Sequence, residues 1–218
     1  MDIQIIASAL PSILKAAAVT LYVALAGIII GQVLGAIICF MALSGPRWLR
    51  AACATYISFF RGVPTLVKVL LIYYALPSIG IELPAAMTAI IALGLMSAAY
   101  VAEIYRGALR TIPPGQVEAA RMVGMSTLNT WKRILIPQAL RRSVPALTNE
   151  AGLTLKASSL VSVVGVGELT STSQHISAAT FSPVQIGLAT AAIYFGMNLL
   201  LATIGNIMER RFSTSNKT

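Results

Sequence analysis

Apolar residues run through this chain in long blocks rather than alternating, and short polar stretches separate the blocks. Roughly 20 apolar residues carry a helix across a bilayer core. Five blocks of that order predict five membrane-spanning helices. The first, 16–43, holds no formal charge and places Gly27, Gly31 and Gly35 four apart on one helix face. That spacing lets another helix approach closely, without saying which one. The second, 54–79, follows SGPRWLR and carries Arg61 and Lys68 in its first half. A charge near a membrane end can snorkel outward, which makes Arg61 cheap and Lys68 less so.

The turn PSIGIELP leads to a third block, 85–105. The fourth, 143–166, is the least apolar, with Asn149, Glu150, Lys156 and hydroxyls at Ser158, Ser159 and Ser162. The fifth, 183–207, ends at MERRF, and the polar stretch VGELTSTSQHISAATFS separates it from the fourth. Residues 106–142 break the rhythm, with seven basic residues and one acid, Glu118. This segment is too polar to span and too helix-prone for a loose loop, which predicts two short helices lying at the membrane surface.

Composition agrees: 57% hydrophobic and 11% charged residues, with a mean hydropathy of +0.81, belong to a chain whose solvent is lipid. The net charge of +9 sits mostly between the apolar blocks, where it reports orientation. No basic patch is interleaved with aromatics as a nucleic-acid binder requires, so a nucleic-acid partner is not expected. With five crossings, Arg47, Arg50, the seven central cations, Arg210, Arg211 and Lys217 share one side. Lys15, Asp2, Glu82, Glu168 and His175 share the other. The expected topology is an outside N-terminus and a cytoplasmic C-terminus, with 1–212 as one transmembrane domain and 213–218 as a short cytoplasmic tail. The opening MDIQIIASALPSILK lacks a basic leader region and a small-residue cleavage site, and is expected to be retained. Cys39 and Cys53 read as small buried hydrophobes, and no metal cluster is expected.

Within the central segment, Glu118, Ala119 and Ala120 are followed by Gly124 and, nine residues later, by Ile134, Ile136 and Pro137. Small alanines leave a slim helix face able to enter a groove, Gly124 allows a sharp turn, and Glu118 can cap a helix or pair with a partner's cation. The spacing resembles the EAA loop of binding-protein-dependent ABC importer permeases (EAA, three residues, G, nine residues, I, one residue, LP), with Ile136 in place of leucine. Nearly the whole chain, 10–212, is similar to the polar amino acid permeases of the histidine, glutamine, arginine and opine group. FRGVPTLVKVLLIYYALP, SAAYVAEIYRGALRTIPPGQVEAA, PQALRRSVPALTNE and LKASSLVSVVG carry that similarity. Ala157 in KASSL departs from the KDTSL or KSTSL common in the family.

The resemblance implies an all-α integral membrane fold of about five transmembrane helices, similar to type I ABC importer permeases, in a bacterial inner membrane. It implies coupling to an ATPase subunit dimer through Glu118, Ala119, Ala120 and Gly124. It also implies a second permease subunit, identical or paralogous, and an extracytoplasmic amino acid-binding protein. ATP and magnesium would be bound by the partner ATPase, because this chain has no GxxxxGK[ST] phosphate loop and needs no cofactor of its own.

A transport path needs polar groups facing a cavity at membrane depth. Glu150, Asn149, Thr154, Ser158 and Ser159 are candidates for substrate contact, and Glu150, Thr154 and Ser158, four apart, are expected to share a helix face. Glu150 could receive an ammonium or a cationic side chain while hydroxyls hold a carboxylate. Glu103 is a further candidate. The competing reading is structural, with ion pairs between Glu150 and Lys156 or between Glu103 and Arg106. Arg61, Gly62 and Pro64 match the family's RGxP element, with an expected role in structure or gate geometry. His175 reads as a surface residue or a binding-protein contact. No nucleophile, base and orienting acid cluster along the chain, so no catalytic residue is expected. An ion-coupled transporter or channel is the remaining alternative, and it would require an ion site and an internal repeat that the sequence does not display.

Overall fold

The computed structural model describes residues 3–213, so Asp2, Lys217 and the tail beyond Ser213 lie outside the described residues. Among them the chain is helical: α1 (Ile3–Ser44), α2 (Arg47–Gly62), α3 (Thr65–Ser78), α4 (Ala85–Arg110), α5 (Pro114–Met122), α6 (Thr127–Thr130), α7 (Ile136–Ala157), α8 (Leu169–Thr180) and α9 (Pro183–Ser213). A π-helical turn, Trp131–Leu135, joins α6 to α7, and a 3-10 stretch, Ser158–Val164, follows α7. Helices α1, α4 and α9 are each long and apolar enough to cross a membrane, and the number rises to five if each of two bent pairs is a span.

Helix α1 starts well before the first charge-free block. Ile13, Ala16, Ala17, Thr20, Val23 and Ala24 are buried at helical spacing across the expected boundary, while Lys15 turns outward. At 1.5 Å per residue this helix is about 63 Å long, twice the bilayer core. Its first half packs through Ala9, Ile13 and Ala17 against Leu155, Leu169, Ile186 and Met197 of α7, α8 and α9. Its second half lies along α4. A Cβ on Gly27 would sit 2.9 Å from Leu93 Cβ, and one on Gly31 or Gly35 would sit 2.6 Å from the Cβ of Ser97 or Val101. The glycine ridge thus packs against residues of α4 that are themselves four apart, and Gly94 receives Ile30 in return.

The second apolar block is not one straight helix. Pro64 has no N–H and forces Val63 into extended backbone (φ −86°, ψ 139°), so α2 ends there and α3 leaves at 116°. A hydropathy window sums over this break without registering it. The central segment also departs from expectation. Its first short helix is α5, but the second half runs through α6 and the π turn into α7 without stopping, so Pro137 does not mark a new helix. Pro137 cannot donate to a carbonyl four residues back, and its ring crowds that carbonyl. The wider turn accommodates this, with the Ile136 N–H donating to Trp131 O.

Glu168 on the 165–168 connection is fully buried and caps α8. Its carboxylate accepts from the N–H of Thr170 (2.9 Å) and Ser171 (2.8 Å) and from the Tyr194 hydroxyl (3.0 Å), which satisfies the charge without a cation. Cys39 and Cys53 are buried free thiols.

Candidate functional site

Pro64 has a second effect inside the fold. In an unbroken helix the Phe60 carbonyl would accept from the N–H of residue 64, which proline lacks. Lys68, one turn into α3, fills the gap: its Nζ donates to Phe60 O at 2.5 Å, and the side chain is 1% exposed. A cation at a helix C-terminus also suits the helix dipole. The RGxP element therefore both bends the chain and holds an ammonium inside it.

Lys68 borders a cavity of about 220 Å³ between α3, α4 and α7, with Thr65, Ser97, Tyr100, Glu150 and Thr154 on its walls. Glu150 is 6% exposed and accepts from Thr154 Oγ1 at 3.2 Å. Ser97 Oγ is buried beside the Glu150 carboxylate but lacks the geometry of a direct hydrogen bond to it. Lys68 and Glu150 interact across the cavity, yet they form no ion pair. A base, an acid and a hydroxyl thus converge on one small space, each with bonding capacity to spare.

The expected polar face is only partly realised. Glu150 and Thr154 line the cavity together, but Ser158 does not join them. It is buried elsewhere and donates to Leu155 O at 2.6 Å, where the backbone tightens into the 3-10 stretch. Ser159 donates to Lys156 O at 2.8 Å. Asn149 and Lys156 are exposed, so the ion pair of Glu150 with Lys156 does not form. Lys68 and Ser97 were not among the residues expected here. The available signal was a lysine within an apolar block, four residues past a proline, with no acid beside it in sequence.

A second cluster adjoins the cavity through Tyr100. The Arg61 guanidinium lies 5.7 Å from the Tyr100 ring centroid and 3.6 Å from Glu103 Oε2. Glu103 also pairs with Arg106 one turn on, so it is held between two arginines. A side chain on Gly62 would meet nothing within 4 Å, and no contact explains the glycine.

The segment 118–137 builds a projecting corner. Proline at the first positions starts α5, and Gly124, at φ +75°, ends it. Gly124 N–H donates to Arg121 O (3.0 Å) and Met125 N–H to Ala120 O (2.9 Å), the paired bonds of a Schellman cap. Ser126 Oγ then accepts from Asn129 N–H (3.3 Å) and starts α6. Open space surrounds Gly124, so its own backbone angle, and not a neighbour, requires glycine. Glu118 and Ala119 face outward, whereas Ala120 is buried in the fold, so the two alanines serve opposite sides of α5. Met122 and Val123 at the tip are 89% and 76% exposed, a patch the sequence did not single out. Side-chain bonds tie the base of this corner to α7. Gln138 Nε2 donates to Gln116 Oε1 at 2.6 Å, and Arg142 Nη1 donates to the Thr111 carbonyl at 2.5 Å.

Comparison with known proteins matches residues 35–214 to the family described as the binding-protein-dependent transport system inner membrane component. A probable amino-acid permease of Bacillus subtilis is 35% identical, covering 100% of this chain and 99% of its own. The nopaline transport system permease of Agrobacterium fabrum is 36% identical, with 96% and 91% covered. The glutamine transport system permease of Escherichia coli is 34% identical, with 93% and 94% covered. Among solved structures, a chain from the crystal structure of an amino acid ABC transporter with histidines superposes at a TM-score of 0.90 with 35% identity, covering 97% of this chain and 99% of that one. A chain of the MetNI methionine ABC transporter, solved in inward-facing conformations, shares the fold at a TM-score of 0.71 and 20% identity.

Proposed function

The chain belongs to the binding-protein-dependent transport system inner membrane components, and we propose that it forms one wall of an ATP-driven path for a polar amino acid. It is a multi-pass membrane subunit of an ABC importer, and its role is transport rather than catalysis. The observation that carries the substrate reading is the cavity on whose walls the buried side chains of Lys68, Ser97, Glu150 and Thr154 meet. Polar groups left with spare bonding capacity in a lipid-facing fold are stable only if something polar visits them.

The projecting corner at α5 is the dock for an ABC ATPase dimer, which would bind ATP and magnesium. Glu118 and Ala119 offer a slim outward face, Met122 and Val123 an apolar tip, and Gly124 fixes the turn. Movement of this corner reaches the cavity by two routes. The short link 111–113 leads into α4, which carries Ser97 and Tyr100, while the Arg142 and Gln138 bonds lead into α7, which carries Glu150 and Thr154. A second permease subunit, identical or paralogous, closes the path, and an extracytoplasmic amino acid-binding protein delivers cargo. The distribution of lysine and arginine supports an outside N-terminus, with α5 and the C-terminus in the cytoplasm. Residues 1–212 then act as a single transmembrane domain, with Arg61, Gly62 and Pro64 setting the geometry at its bend.

Reconstitution tests this reading. Uptake by proteoliposomes holding the permease and its ATPase should require both internal ATP and the binding protein. Uptake driven by an ion gradient alone would show an autonomous transporter instead.

A further inference from the structure

The cavity between α3, α4 and α7 is charge-balanced, with one buried base and one buried acid on its walls. Lys68 spends one N–H on the Phe60 carbonyl, and that carbonyl is its sole hydrogen-bond partner among the described residues. Glu150 accepts from Thr154 on one oxygen and has no cation within ion-pairing distance. Ser97 Oγ, on the same wall, is buried beside the Glu150 carboxylate without the geometry of a direct hydrogen bond. Lys68 and Glu150 face each other across the cavity without touching, so neither buried charge has a counter-charge in direct contact, an unfavourable condition in a low-dielectric setting.

We infer that Lys68 is a specificity-determining residue: with Ser97 it takes the substrate's carboxylate while Glu150 takes the ammonium, so the cavity admits net-neutral amino acid zwitterions and rejects cationic ones. A zwitterion supplies both missing counter-charges at once and adds no net charge. A lysine- or arginine-like cargo adds a further positive charge, and no second acid lines the cavity. The acid nearest in the fold's charge network, Glu103, already serves Arg61 and Arg106. The volume of about 220 Å³ lies below the range of drug-sized sites and suits a single amino acid. This inference rests on the amino acid permease reading above and narrows its cargo class.

If Lys68 served only as a cap for α2, replacing it would affect every ligand alike. The test is saturable binding of radiolabelled L-glutamine and L-arginine, with L-glutaminamide as a competitor lacking the carboxylate, to the assembled permease–ATPase complex in nanodiscs without binding protein. The wild-type complex should prefer glutamine over both other compounds by roughly 10-fold or more. Lys68→Gln should weaken glutamine by about 10-fold, leave arginine unchanged or tighter, and abolish the distinction between glutamine and its amide. Lys68→Arg, which keeps the charge, should retain the preference, and the wild-type comparison of the three compounds needs no variant at all. Equal weakening of both amino acids in Lys68→Gln, arginine binding as tight as glutamine in the wild type, or no saturable binding would each overturn the role of Lys68. Uptake dependent on ATP and binding protein would persist in those cases, and its loss in the wild type would instead overturn the permease reading.

Discussion

Two glycines show how differently two regions of this molecule are determined. Gly31 sits in the seam between α1 and α4, where a Cβ would lie 2.6 Å from Ser97. Gly124 sits at the corner after α5, where a Cβ would touch nothing and the constraint is φ +75°. The seam is set by its neighbours and the corner by its own backbone. A region of the first kind tolerates no added volume, whereas one of the second tolerates volume but not a change of backbone angle. The seam accordingly fixes the fold, and the corner stays free to meet another protein.

That contrast can be broken by substitution. The largest effect is expected for Gly31→Leu, which should destabilise the fold by about 3 kcal/mol through overpacking against a helix backbone that cannot retreat. Size-exclusion chromatography in detergent should show loss of the monodisperse peak, and wild-type behaviour would mean the seam is looser than described. Gly124→Val should cost about 1–2 kcal/mol at the corner, because a β-branched residue resists a left-handed angle. The protein should still purify as folded, but the ATPase should no longer co-purify with it. Val123→Asp sharpens the comparison further: at 76% exposure it should leave the melting temperature unchanged, while ATPase retention on an affinity column falls about 10-fold. Unchanged retention would remove the apolar tip from the docking surface. The smallest effect belongs to Arg142→Ala, which deletes the bonds to Thr111 and should cost about 1 kcal/mol in a thermal melt.

The two regions also differ in how legible they were. The corner is local: the proline start, the glycine stop and the serine cap all lie within a few residues, and the spacing from Glu118 to Pro137 marked it out. The seam was half legible, since the four-residue spacing of Gly27, Gly31 and Gly35 predicted close packing but carried no sign of α4 as the partner. The cavity was least legible, because its walls come from three helices far apart in sequence. Glu150 and Thr154 could be paired by helical spacing, whereas Lys68 and Ser97 reach them only through the 116° bend and the packing of α4 on α7. Ser158 was misplaced because even spacing was extended past the point where the helix tightens.

The π turn at Trp131–Leu135 is in effect one extra residue threaded into a helix that otherwise runs from Thr127 to Ala157. An α-helix advances about 100° per residue, so this extra residue sets the azimuth of everything before it relative to everything after it. The corner and the cavity are thereby clocked to one another like two cranks on a shaft. Excising one residue from the turn would swing α6 through about 100° relative to Glu150 and return the Pro137 ring to the crowding that the wider turn relieves, leaving the composition of both sites intact and their alignment lost.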